Sequence, residues 1–124
     1  ERLLLTDPIS PMSEEDKMEY LRPYIDAGES RRPTLTWPRN IPLDGEEPIE
    51  TLEAVKANSE FHASSSIPKL FINADPGLLL VGEQREEIRT WKNLEEVTVK
   101  GNHFIQEDSP EEITNHLKNF INKL

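Results

Sequence analysis

The sequence predicts an α/β fold built on a parallel sheet, and three features predict it. Ile67-Pro-Lys-Leu-Phe-Ile-Asn73 is a short apolar run bounded by turn signals, the pattern of a strand covered on both faces. Glu95-Glu-Val-Thr-Val-Lys100 is a second strand, β-branched at its centre and ended by Gly101. Each run is followed by a stretch with helical spacing. The order strand, helix, strand, helix is that of a right-handed crossover unit.

Taken in order, Glu1-Arg-Leu-Leu-Leu5 reads as the middle or end of a helix, with no initiator Met, so the chain is expected to begin inside a larger protein. Thr6 to Pro11 is a Pro-punctuated connection. Ser13 is placed to cap a helix whose first turn is acidic, with Met18, Leu21 and Ile25 recurring at helical spacing. Pro23 should kink or split that helix and Gly28 end it. Ten prolines, most of them in the first two thirds, include Pro33, Pro38 and Pro42. These argue against a regular helix or central strand through the middle of Glu29 to Gly45. Pro48 suits the first turn of a second helix reaching about Ala63, with Ile49, Leu52, Val55 and Phe61 facing inward. Ser64-Ser-Ser66 breaks it.

After the first strand, Asp75-Pro-Gly77 turns the chain, and Leu78 to Val81 is an apolar patch. Glu83 to Trp91 reads as a helix with Ile88 and Trp91 on one side. The last helix opens on Ser109-Pro-Glu-Glu112, which combines an N-cap, Pro at N1 and a capping-box Glu. Ile113, Leu117, Phe120, Ile121 and Leu124 form its apolar stripe. Two parallel strands do not make a stable sheet alone. The sheet is therefore expected to be completed by residues outside this sequence, with the first 66 residues forming a lid.

The totals narrow the function. The chain has 124 residues, at most one modest domain, with 35% hydrophobic and 31% charged residues. A net charge of −10 argues against nucleic acid and anionic membranes as partners. With no cysteine there is no disulfide framework and no thiolate metal site, which suits a cytoplasmic location. No run approaches the ~20 apolar residues of a membrane span. The three histidines lack metal-ligand spacing, so no metal and no cofactor is implied. There is no phosphate loop, no Gly-x-Ser-x-Gly elbow and no HExxH.

His103 is the sharpest candidate, because chemistry in open α/β sheets sits just beyond the carboxyl ends of the strands. It reads either as a general base poised near neutral pH or as a loop histidine capping the adjacent helix. His62 and His116 read as surface residues. Asp75 can orient a histidine from the next strand tip, or simply make a turn. Glu107 and Asp108 suit a helix N-terminus. Leu78, Leu79 and Phe104 flank the site as core or as pocket wall, and Trp37 and Ile41 can close it from the lid or merely pack.

Three motifs carry a family resemblance: Arg31-Arg-Pro-Thr-Leu-Thr-Trp-Pro-Arg-Asn-Ile-Pro-Leu43, Ile67-Pro-Lys-Leu-Phe-Ile-Asn-Ala-Asp-Pro-Gly77 and Val97-Thr-Val-Lys-Gly-Asn-His-Phe-Ile-Gln-Glu-Asp-Ser-Pro-Glu-Glu-Ile113. They resemble the C-terminal portion of the haloalkane dehalogenases, and also the related coelenterazine luciferases. The resemblance implies an α/β-hydrolase core, here its last two parallel strands and flanking helices, plus part of a helical cap. Residues 1–66 would be the later cap and the return to the core, and residues 67–124 the C-terminal part of the core. It implies an Asp nucleophile that displaces halide, a histidine that activates water against the resulting alkyl ester, and a Trp and an Asn that hold the halide. Of these only the histidine carries over, onto His103. The nucleophile, the halide-holding pair and the triad acid are expected in the N-terminal part or on another chain, which leaves Asp75 a second-choice acid.

By the same resemblance Pro38, Ile41, Leu79 and Phe104 match pocket-lining positions, with Leu78 beside them. The implied partners are a small apolar halogenated substrate, water and halide ion. Phe61 departs from relatives that carry Tyr and Trp in that helix, and Leu78-Leu-Leu-Val81 is bulkier than in some of them. Two other readings stand beside the dehalogenase. One is a luciferase-like monooxygenase; the other is a non-catalytic complementation or domain-swapped fragment.

Overall fold

The computed structural model describes residues 7–41 and 48–124. The expected helix end at residues 1–5 lies outside them, as does the Pro42 end of the Arg/Pro-rich stretch. The chain divides into two compact units, Glu14–His62 and Ala63–Leu124, the latter joined by the described residues up to Ser13.

In the first unit, α1 runs over Glu14–Leu21 and gives way to a 3-10 turn at Arg22–Tyr24, where Pro23 forbids the regular ladder. Gly28, at φ 100°, reverses the chain. The Arg31 guanidinium then reaches back to the Tyr24 and Ile25 carbonyls, at 2.8 Å each, and supplies donors that the proline break left wanting. The Arg/Pro-rich stretch corrects the expectation of irregularity. After a 3-10 turn at Glu29–Arg31, α2 spans Arg32–Arg39 with Pro38 inside it. Pro33 falls in the first turn, where its missing N–H costs nothing. Side chains add support along the same short helix: the Thr34 hydroxyl donates to the Arg31 carbonyl at 2.7 Å, and the Asn40 amide to the Thr36 carbonyl at 2.8 Å. Helix α3 covers Ile49–Ser64, close to the expected bounds. Its expected inward residues do not all face inward: Ile49, Val55 and Phe61 are exposed, as are Met18, Ile25 and Trp37.

In the second unit, β1 (Lys69–Pro76) and β2 (Leu94–Gly101) pair in parallel, in register from Lys69 with Leu94 to Pro76 with Gly101. The crossover between them carries α4, Gly82–Arg89. Lys69 anchors the entry: its ammonium donates to the carbonyls of Ser65, Ile67 and Lys92 at 2.8 to 2.9 Å, using its three protons. Val99, 2% exposed, and Phe71 form the buried apolar centre. Asn73 is also buried, and its amide donates to Thr98 Oγ1 across the register at 3.2 Å. On the outer face Arg89 grips Glu96 through two hydrogen bonds of 2.9 and 2.8 Å and also reaches Glu86. That contact holds the Glu96 carboxyl below its usual range and raises the Arg89 guanidinium further.

Beyond β2 the chain forms a four-residue helix, α5 (Ile105–Asp108), and then α6 (Pro110–Ile121). Ser109 corrects the capping expectation. It makes no side-chain cap on α6; its hydroxyl donates instead to the Lys100 carbonyl at 2.7 Å and ties the helix start to the strand end. Pro110 does sit in the first turn. The α6 stripe is only partly covered: Ile113 and Phe120 are half-buried, whereas Leu117, Ile121 and Leu124 are exposed. Among the described residues no helix is long and apolar enough to cross a membrane.

Candidate active site

The site forms where both strands end. Parallel pairing brings Pro76 level with Gly101, and the Gly77 N–H continues the ladder by donating to the Gly101 carbonyl at 3.0 Å. Both glycines are required by crowding. A Cβ on Gly101 would lie 2.9 Å from Ile105 Cγ2, and one on Gly77, where φ is +76°, would lie 3.0 Å from the Ala74 carbonyl oxygen. The chain can therefore turn sharply off each strand, with Leu78–Leu80 leaving one tip and Asn102–Phe104 the other.

Between these tips lies a cavity of about 90 Å³. Its walls include Phe71, Ile72, Leu78, Leu79, Asn102 and His103. The structure thus brings His103, Leu78 and Leu79 to one apolar recess. Phe104 stands beside it, its ring 4.7 Å from the His103 ring in an edge-on arrangement. Asp75 is exposed at the end of β1, and no hydrogen bond joins it to His103. Pro38 and Ile41 belong to the other unit, where both are exposed. His62 is exposed on α3 against the Phe61 ring, and His116 is half-buried on α6.

Three residues that sequence reasoning passed over shape the site. Arg85, on α4, donates to the carbonyls of Ala74 (3.0 Å), Leu80 (3.1 Å) and Pro76 (3.3 Å), and so pins the loop that carries Leu78 and Leu79. Asp7 is only 6% exposed; one oxygen of its carboxylate accepts the backbone N–H groups of His103 and Phe104 at 2.8 and 2.9 Å. Asn102 donates its amide to the Asp7 carbonyl at 2.6 Å. Nothing in the Thr6 to Pro11 stretch marks these contacts, since Asp-Pro reads as an ordinary turn. Asp108 is not merely a helix-terminus acid, because its carboxylate accepts the N–H groups of Ile9 and Ser10 at 3.0 and 2.9 Å. Among the described residues no cluster of His, Asp and Glu is arranged to hold a metal ion.

This arrangement places one imidazole at the rim of an apolar recess, with its backbone clamped. Such a group can take a proton from water next to a substrate held by apolar walls.

No protein-family model matches the chain. It is 47% identical over 115 residues to the haloalkane dehalogenase of Mycolicibacterium smegmatis, covering 91% of this chain and 36% of that protein. It is 38% identical over 125 residues to the coelenterazine h 2-monooxygenase of Renilla reniformis, covering 100% of this chain and 40% of that protein. Its fold superposes on the crystal structure of a haloalkane dehalogenase from Bradyrhizobium elkani with a TM-score of 0.89 at 33% identity, covering 99% of this chain and 42% of that one. The chain spans about two fifths of the length of these relatives. By sequence and by fold it is similar to the haloalkane dehalogenases, and it corresponds to a portion of their larger α/β-hydrolase fold.

Proposed function

We propose that this chain supplies the histidine side of a haloalkane-cleaving active site. In that reaction a carboxylate oxygen of an Asp nucleophile attacks the halogen-bearing carbon, the carbon–halogen bond breaks, and halide leaves with the bonding pair. His103 then takes a proton from water as the water attacks the carbonyl of the alkyl ester. The tetrahedral intermediate then breaks its bond to the alkoxy oxygen, which takes the proton of the new hydroxyl and leaves as an alcohol; the carboxylate is regenerated and the His103 imidazolium gives its proton to solvent. The nucleophile, its acid partner and the halide-holding groups come from a segment outside these 124 residues, on the same polypeptide or another. The reaction draws only on the haloalkane and water.

The observation that carries the reading is His103 at the rim of the apolar recess between the strand tips, beside Leu78 and Leu79. Apolar walls suit a small halogenated substrate with no polar handle, and they keep bulk water from the displacement step. We read Leu78, Leu79 and Phe104 as pocket wall and Asp75 as a second-choice acid; for Pro38 and Ile41 a pocket-lining role rests on the resemblance alone. In the same reading residues 1–66 are the later cap and its return, residues 67–124 are core, and the location is cytoplasmic.

The test uses the assembled enzyme, this chain together with the segment bearing the nucleophile. With His103→Phe, incubation with 1-bromobutane should release one equivalent of bromide and leave one butyl group bound, seen by mass spectrometry. Continued turnover in that variant excludes His103 as the hydrolytic base.

A second reading rests on the similarity to the Renilla reniformis monooxygenase, whose name specifies coelenterazine h. Light output on adding coelenterazine, without halide release from haloalkanes, would favour it. If neither activity appears in the assembled protein, the chain acts as a non-catalytic complementation fragment.

A further inference from the structure

The backbone N–H groups of the His103 loop are not held by their own neighbours in sequence. Among the described residues no side-chain hydrogen bond reaches the imidazole, whose ring lies edge-on to that of Phe104. What fixes it is the backbone, and the backbone is fixed from the far end of the chain. One oxygen of Asp7 gathers the N–H groups of His103 and Phe104, 96 and 97 residues away. The Asn102 amide closes on the carbonyl of the same residue. Asp108, just past the loop, returns the contact by accepting the amides of Ile9 and Ser10. The two segments therefore clasp each other reciprocally, an Asp from each taking backbone donors of the other.

A carboxylate buried to 6% exposure is costly unless its donors are in place. The clasp thus favours one loop geometry over alternatives in which the two amides point elsewhere. Shifting either amide would rotate the backbone from which the imidazole projects into the recess.

We propose that Asp7 is the positioning residue of His103: by binding the backbone of the His103–Phe104 loop, it aims the imidazole into the apolar recess between the strand tips. In catalysis the inference rests on the dehalogenase reading, and its effect falls on ester hydrolysis, the step that needs the base. Alkylation of the nucleophile does not use His103 and is spared.

The test has two arms. In the first, amide hydrogen exchange is followed by NMR on the assembled enzyme, this chain together with the segment bearing the nucleophile. Wild type should protect the His103 and Phe104 amides, Asp7→Ala should lose that protection, and Asp7→Asn, which keeps an oxygen acceptor, should restore part of it. Unchanged protection in Asp7→Ala overturns the proposal, whatever the activity. In the second arm, on the assembled enzyme, Asp7→Ala should slow hydrolysis of the alkyl ester by about ten- to a hundredfold, the scale set by small misplacements of a reacting group. The burst of halide should stay intact and Asp7→Asn should recover most of the rate. An equal fall in burst and hydrolysis means general damage to the fold and overturns the positioning role. Absence of any halide release by the wild type overturns the dehalogenase reading instead, and the exchange data alone then judge the clasp. If Asp7→Ala does not fold, Asp108→Ala, which frees only Ile9 and Ser10, takes its place. A partial loss of His103 protection supports the clasp, and no loss overturns it.

Discussion

At Arg85 a single guanidinium does the work of several turn residues. Its contacts with the Ala74, Pro76 and Leu80 carbonyls hold the loop that presents Leu78 and Leu79. Replacing it with Met keeps the aliphatic stem but leaves those carbonyls without their donor. Arg85→Met should cost roughly 1–3 kcal/mol, the range for losing hydrogen bonds to a charged group. In the assembled enzyme it should raise KM more than it lowers kcat, because the pocket wall loosens while His103 stays clamped. Denaturant midpoints and steady-state kinetics measure the two effects; an unchanged KM would mean that the Leu78–Leu80 loop holds its shape without Arg85. None of this partnership showed in the sequence. Arg85 falls in a charged run, Glu83-Gln-Arg-Glu-Glu87, that reads as a solvated helix face.

Among the elements, the β-strands and α6 were legible because their signals are local: a β-branched run ended by glycine, and Ser-Pro-Glu-Glu ahead of an apolar stripe. Helix α2 was not, because a proline count treats every proline as a breaker. Pro33 occupies a first turn, where no N–H is needed, and Pro38 comes one residue before the end of an eight-residue helix. The contact between α4 and β2 yields a pH prediction. Arg89 lowers the Glu96 carboxyl from its reference value of 4.5, chiefly by hydrogen bonding. A carboxyl lowered on folding stabilises fully above its unfolded value, and the gain is lost as pH falls through the folded one. Glu96→Gln should therefore be modestly less stable than wild type at neutral pH, and the gap should close below about pH 4.5. Denaturation midpoints taken from pH 7 down to pH 3 check this; a gap constant across that range removes the pair as its source.

For the molecule as a whole, the described residues bury little apolar surface. Trp37 is 69% exposed and Leu124 75%, and Leu78, Leu79 and Leu80 are also open. Within the second unit, Leu78, Leu79 and Leu80 are exposed and consecutive, and such an apolar run marks a surface that expects a cover. The chain alone should bind a hydrophobic dye such as ANS several-fold more strongly than it does after assembly with the segment bearing the nucleophile. A fluorescence titration with that segment reads the change, and dye binding that stays constant through assembly would show that these faces remain uncovered.

The features read correctly from residue order share one property: their causes lie within a few positions of their effects. Alternating or helical hydrophobicity, a strand ended by Gly101 and a histidine two residues later are enough to locate the strand tip and its candidate base. The clasp between Asp7 and the His103 loop, the Arg85 pins and the Ser109 bond to Lys100 were decided only by the tertiary structure. Each joins polar groups that no periodicity relates, and a hydrogen bond across 96 residues leaves no trace in local composition. Exposure of the predicted apolar faces was equally beyond the sequence, since a helical stripe says which side seeks cover and not whether the described residues provide it.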